Sequence, residues 1–347
     1  MKAMVLTALS TPFQMIDLPD PVAGKGEAVA KVLACGAGLT IQHLRAGRLP
    51  VNYPRIIGHE ITAEIVEVGA GVSNLRVGDG VTAYYYLTCG TCKWCQSDRE
   101  TLCDNFGGNI GRHVDGGYAE FIKLPANSFI KLPNDLDYKS YPAEVGVVTD
   151  AIATPLKLVY KSRIQPGETV AVIGAGGGLG IHMVAVAAWA KADVIAVDVR
   201  PEKFAACHDA GAATSLDVSD RDLAAALLES TGDQGADVII DFVASDLTLE
   251  ASAKALGKGG RLAILGGGGQ SNNFPVLGNW IKNGEREILG SRYATRREVG
   301  HALDLIASGE LWPIVTETCP LEKAEDLHKR VEDGLVTGRA ALLIGST

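Results

Sequence analysis

No apolar run in the sequence approaches the ~20 residues that a membrane-spanning helix needs, and no lipidation motif follows Leu342-Leu343-Ile344-Gly345-Ser346-Thr347. The opening MKAMVLTALS has neither the apolar stretch nor the small-residue cleavage site of a secretory leader. These absences point to a soluble chain in a reducing cytoplasm, where disulfides are disfavoured. A basic stripe is also missing. With 32 Lys and Arg against 41 Asp and Glu the net charge is −9, which argues against nucleic acid as a partner. No internal repeat or low-complexity tract interrupts the chain, and its 41 glycines lie at scattered turn-like sites with no linker among them.

What is present is substantial. The 347 residues are 47% hydrophobic, enough for more than one core, since single cores stop growing at about 250–300 residues. Two domains are expected. Four of the seven cysteines form the run Cys89-x2-Cys92-x2-Cys95-x7-Cys103, a complete thiolate set for one metal ion. Zinc suits four soft ligands, and a closed sphere leaves no open position for chemistry, so the role is structural. An iron–sulfur cluster is the rival. The bacterial ferredoxin run places three residues before its fourth cysteine and a proline after it, whereas seven residues intervene here and Asp104 follows. Cys35, Cys207 and Cys319 are single, as small buried hydrophobes are.

The first third reads as mostly β, with apolar or β-branched runs at residues 28–33, 63–68, 80–86 and 118–124. From about Pro166 strands alternate with helices: strand 169–173, helix 180–191, strand 193–197, helix 203–210, then strands 236–243 and 261–265. That alternation predicts an α/β unit with a parallel, doubly wound sheet. After about Gly290 come an amphipathic helix at 297–308, a strand at 314–318, a helix at 322–333 and a strand at 340–344, which are expected to rejoin the first domain.

Directly after strand 169–173 stands Gly174-Ala175-Gly176-Gly177-Gly178-Leu179-Gly180, opening a helix. Backbone N–H groups and a helix N-terminus can approach a pyrophosphate there without side-chain obstruction. The spacing departs from G-x-G-x-x-G by one residue. The second strand ends in Asp198, placed to accept hydrogen bonds from the adenosine ribose. NAD is the expected cofactor, because the Asp198 carboxylate would repel a 2′-phosphate, although Arg200 partly offsets that repulsion.

Several motifs together resemble the medium-chain, zinc-type alcohol dehydrogenase family over nearly the whole chain. They are Gly58-His59-Glu60, Val77-Gly78-Asp79-Gly80-Val81, the four-cysteine lobe, Gly116-Gly117-Tyr118-Ala119-Glu120 and the glycine loop. The resemblance implies a mostly β, GroES-like catalytic domain at 1–155 with the zinc lobe at 89–103, a Rossmann NAD-binding domain at 156–290, and a return to the catalytic domain at 291–347. It implies a catalytic zinc held by a cysteine, the histidine of G-H-E and a later Cys or Asp. His59 and Asp150 match two of these positions. The first reads Cys35-Gly36-Ala37-Gly38-Leu39-Thr40, so Gly38 stands where the family has its cysteine, and glycine offers no donor. Glu60 swinging in beside His59 and Asp150 would complete a harder ligand set. Cys35, three residues upstream, ranks below it.

Thr40 matches the family's Ser/Thr position and His43 its relay histidine. Thr40 would hydrogen-bond the substrate oxygen, and the imidazole of His43 would exchange the proton with solvent. The expected activity is hydride transfer between nicotinamide and an alcohol or ketone carbon of a small, hydrophobic substrate. Two alternatives remain. One is reduction of an α,β-unsaturated carbonyl without zinc, with Thr40, His59, Glu60 and Asp150 supplying the acid–base groups. The other is a non-catalytic NAD-binding protein. Apolar Leu39, Ile41, Tyr53, Trp94 and Tyr293 are candidates for the pocket. The resemblance also implies a homodimer or homotetramer.

Overall fold

The computed structural model describes residues 1–266, 274 and 278–345. The chain divides into two compact units, Met1–Ala153 with Ala294–Thr347, and Thr154–Tyr293.

The first unit is built on a seven-stranded sheet. Its strands run in the order Phe129–Lys131, Gly80–Ala83, Ile61–Val68, Glu27–Ala37, Arg339–Leu343 and Val315–Pro320, with Phe121–Pro125 also pairing to Glu27–Ala37. Strand Glu27–Ala37 is buried at most positions on both faces. Such a strand shows no clean alternation, because both sides are apolar. Two register irregularities, at Val29/Ala30 and Val32/Ala34, bend it as it crosses the core. Ile57, Ile61, Ile65, Leu124, Tyr118 and Leu342 pack around it.

Helix Pro142–Ala151 packs against this sheet and was not foreseen from the sequence. Eight of its ten residues are buried, so the helix lacks the one-sided apolar stripe that announces a surface helix. The run expected at 80–86 splits into Gly80–Ala83 and Tyr86–Leu87. The backbone changes partners there: the Tyr84 amide donates to Ser128, and the Tyr85 carbonyl accepts from Ile110.

The second unit is a six-stranded parallel sheet in the order Thr214–Asp217, Asp193–Asp198, Thr169–Ile173, Ala236–Asp241, Leu256–Ile264 and Glu287–Gly290. This is the doubly wound Rossmann order, with the first strand central and the chain reversing direction across it. Val170, Ala171, Val172, Val238, Ile239 and Ile240 are fully buried, as strands covered on both faces require. Helices Gly180–Trp189, Phe204–Asp209, Leu223–Ser230 and Asp246–Ala255 follow the strands Thr169–Ile173, Asp193–Asp198, Thr214–Asp217 and Ala236–Asp241 in turn, and the last begins at a reciprocal Ser245/Thr248 cap. Among the described residues, no helix is long and apolar enough to cross a membrane.

Candidate active site and metal centres

The four cysteines of the lobe converge. Their sulfurs lie 3.9 Å (Cys89 to Cys95), 3.6 Å (Cys92 to Cys95), 3.9 Å (Cys92 to Cys103) and 3.5 Å (Cys89 to Cys103) apart. A tetrahedral ion with metal–sulfur bonds of about 2.3 Å demands sulfur separations of about 3.8 Å. The set therefore fits zinc and is far too open for disulfides. Backbone N–H groups of Thr91 and Cys92 pull the Cys89 thiol down to about 5, while burial pushes Cys95 up to about 12. A cation is what allows all four to ionise together. Trp94 is part of this lobe, flanked by the cations of Lys93 and Arg99, with its indole N–H on Asp104. Cys103→Ser is expected to remove one zinc per chain and lower the melting temperature; elemental analysis with calorimetry checks it, and an unchanged zinc count would contradict the assignment.

The second constellation is built from two separate stretches of the first unit. His59 and Glu60 precede strand Ile61–Val68, Asp150 lies in the last turn of helix Pro142–Ala151, and donor atoms of all three lie within 4.8 Å of one another. The structure adds a fourth member that the sequence did not reveal. Arg339 opens the strand Arg339–Leu343, which pairs antiparallel with Glu27–Ala37 so that Ala340 faces Ala37. One step outward, that register sets Arg339 across from Gly38. The Arg339 guanidinium donates from Nη2 to Asp150 Oδ2 at 2.7 Å and lies 2.8 Å from Glu60 Oε1. Arg339, Glu60, Asp150 and His59 are all buried.

Two glycines make room for this cluster. A Cβ on Gly36 would run into Glu60 Oε2. At Gly38 the backbone is extended, with φ −109° and ψ 168°, so conformation does not require glycine there. A Cβ there would stand 2.6 Å from Arg339 Nη1, so a side chain at 38 and the guanidinium in its present position exclude each other. Cys35 is fully buried in the apolar core of the unit and is not part of the cluster.

Burial dominates the electrostatics. It pushes the His59 imidazole down to about 4, with Asp150 opposing and Arg339 assisting, so the ring is neutral at pH 7. Tyr85 packs against that ring at 4.4 Å between centroids. Burial raises Glu60 to about 8; Arg339 works against the shift and Asp150 with it. Glu60 thus keeps its proton at neutral pH, and one carboxylate with one guanidinium leaves the cluster uncharged overall.

The two shifts have opposite signs for stability. A depressed histidine adds stability as pH rises from about 4 to 6.5, whereas a raised carboxyl removes it from about 4.5 to 8. Between 6.5 and 8 Glu60 acts alone. The native protein is expected to lose stability over that window relative to Glu60→Gln, read from denaturant midpoints at both pH values; parallel profiles would contradict the protonation assigned to Glu60.

The residues fit a catalytic zinc poorly. The thiolate position is Gly38, the space beside it holds Arg339 Nη1, and the two carboxyls that would have to ligate already meet the same guanidinium. A dication would have to enter beside a fixed cation, with no thiolate to offset the charge.

Thr40 and His43 sit three residues apart on the short helix Leu39–Arg45 and therefore share a face. His43 Nδ1 is buried without a hydrogen-bond partner, and burial, with Arg48 nearby, lowers its pKa. Of the apolar pocket candidates, Ile41 is core, Tyr53 donates to the Leu44 carbonyl, Tyr293 is buried, and Leu39 next to Thr40 is exposed.

In the second unit the glycine loop is fastened by Asp198. One carboxylate oxygen accepts from the Gly176 amide at 2.7 Å and the other from the amides of Val199 and Arg200. Lys203, which sequence reasoning passed over, reaches the Gly176 carbonyl with Nζ, and Arg200 Nη1 stands 3.6 Å from Glu202. Helix Gly180–Trp189 starts against the loop, since a Cβ on Gly180 would run into the Gly174 carbonyl oxygen and lie 2.8 Å from the Ala175 Cα. A helix N-terminus without side chains in the way fits a dinucleotide pyrophosphate.

Known proteins agree with this architecture. Residues 24–134 match the alcohol dehydrogenase GroES-like domain, and residues 178–308 match the zinc-binding dehydrogenase domain. An alcohol dehydrogenase of Geobacillus stearothermophilus is 34% identical over 345 residues, 99% of this chain and 98% of its own. An acryloyl-coenzyme A reductase of Metallosphaera sedula is 30% identical, covering 99% of each chain. The crystal structure of the alcohol dehydrogenase from Aeropyrum pernix superposes with a TM-score of 0.90 at 31% identity, covering 99% of this chain and 100% of that one. Identity at this level across the whole length, on the same two domains, makes the protein a member of the medium-chain, zinc-type alcohol dehydrogenase family and an NAD-dependent oxidoreductase of that kind.

Proposed function

We propose that the enzyme reduces a carbon–carbon double bond conjugated to a carbonyl, taking a hydride from NADH without a catalytic zinc. The observation that carries this reading is the Arg339 guanidinium held between Glu60 and Asp150 beside Gly38. Oxidising an alcohol requires deprotonating a very weak acid, a step that family members assist with a Lewis acid. Reducing an enone or enoyl thioester asks less of the site. Hydride adds to the β-carbon, the π electrons move onto the carbonyl to give an enolate, and the α-carbon then takes a proton.

The chain's own groups match that demand. NADH, when bound, supplies the hydride, and Gly174, Gly176, Gly177, Gly178, Leu179 and Gly180 with Asp198 are the residues that would hold it. In this reading Thr40 would donate to the carbonyl oxygen and His43, whose buried Nδ1 has no partner, would take up or return the proton. Neutral His59 and the charge-balanced Glu60/Asp150/Arg339 group put no net negative charge near a developing enolate. Named acryloyl-coenzyme A reductases among the relatives support the same substrate class.

The test is NADH consumption with enones, enoyl thioesters and ketones, beside NAD reduction with alcohols, in chelator-containing buffer. Turnover of the conjugated substrates that chelation leaves intact is expected. The second reading, zinc-assisted alcohol oxidation, rests on the convergence of His59, Glu60 and Asp150. It would prevail if alcohols alone turned over and chelation abolished the rate.

A further inference from the structure

Resting on that metal-free reading, we infer that Gly38 and Arg339 form a matched exchange: the guanidinium of Arg339 is the resident cation of the site, standing in for the catalytic metal ion, and Gly38 is the vacancy that admits it. Three independent observations converge. The backbone at Gly38 is extended and accepts any residue, so conformation does not account for the glycine. The atom that a side chain at 38 would strike is Arg339 Nη1. The opposite end of the same guanidinium engages Glu60 and Asp150, the two carboxyls nearest His59.

The strand register makes the exchange local. Ala340 faces Ala37, so residues 38 and 339 meet at the end of one antiparallel ladder and any change at one is felt at the other. A guanidinium is planar, permanently charged and weakly hydrated, which suits a buried position between two carboxyls better than an ammonium would. It fixes Glu60 and Asp150 in place as a metal would, yet it accepts no electron pair from a substrate oxygen. Arg339 is a positioning residue and the reason the site is closed to zinc.

It follows that restoring the thiolate alone is insufficient. Zinc per chain would be counted by plasma mass spectrometry after incubation with excess zinc and desalting, for the wild type, Gly38→Cys, and Gly38→Cys combined with Arg339→Leu. The expected counts are one, one and two, the first zinc being that of the cysteine lobe. Two zincs in the wild type or in Gly38→Cys would overturn the inference, as would a folded double variant that stays at one. If the double variant does not fold, calorimetric titration of zinc into the wild type decides: no second binding event supports the exchange, and a second event refutes it. The metal count is independent of substrate. A wild type with one zinc that oxidises alcohols and ignores conjugated carbonyls would sink the proposed function and leave the exchange standing.

Discussion

Arg339→Ala is expected to destabilise the protein by about 3–5 kcal/mol, because removing one partner of a buried ion pair strands the other in a low-dielectric interior. In a unit of this size that corresponds to a melting temperature lower by roughly 10 °C. Arg339 is 5% exposed and its charged partner Asp150 8%, so water poorly replaces the lost guanidinium. The sharper form of the prediction is the rescue. Neutralising the partners as well, in Arg339→Met with Glu60→Gln and Asp150→Asn, is expected to recover most of the loss, since no bare charge then remains. Thermal unfolding of the two variants checks this. A triple variant as unstable as the single would show that Arg339 acts through packing and not through charge.

Gly180→Val is expected to weaken NADH binding by about tenfold or more. The added atoms would meet the Gly174 carbonyl oxygen and the Ala175 Cα, both of them backbone. No rotamer relieves a clash with main chain. The helix Gly180–Trp189 must back away from the loop, and overpacking of this kind costs about 1–3 kcal/mol, equivalent to about five- to 150-fold in affinity when it falls on the binding surface. Fluorescence titration of NADH measures it, with the structural zinc as a control that the first unit is unaffected. Unchanged affinity would mean that the loop and helix N-terminus do not receive the pyrophosphate.

The parts of this molecule that sequence exposes are those fixed by local spacing. Four cysteines within fifteen residues, a glycine loop between a strand and a helix, and Asp198 at the end of the next strand each state a chemistry over a short stretch; the four sulfurs converge, and Asp198 ties down the glycine loop. His59, Glu60 and Asp150 were legible as a group only through resemblance, since ninety residues separate Glu60 from Asp150. Arg339 was not legible at all. Nothing beside it marks it as functional, and its role follows from a strand register that brings residue 339 to residue 38 from the far end of the chain.

The helix carrying Asp150 was missed for a related reason. A segment buried on all sides has no face to show, and its sequence reads as undifferentiated apolar chain. Gly38 was visible as a departure from the family pattern, but sequence alone offers only a missing ligand. The structure converts that absence into an occupant: the guanidinium that fills the space. Lys203 likewise looked like an ordinary charged residue, and only the fold shows it turned inward onto the glycine loop.

An X-ray anomalous map at the zinc edge, from crystals grown with added zinc, tests most directly whether the site is organised around a guanidinium or around zinc. One peak is expected, enclosed by Cys89, Cys92, Cys95 and Cys103, with Arg339 still bonded to Asp150. A second peak among His59, Glu60 and Asp150 would contradict it.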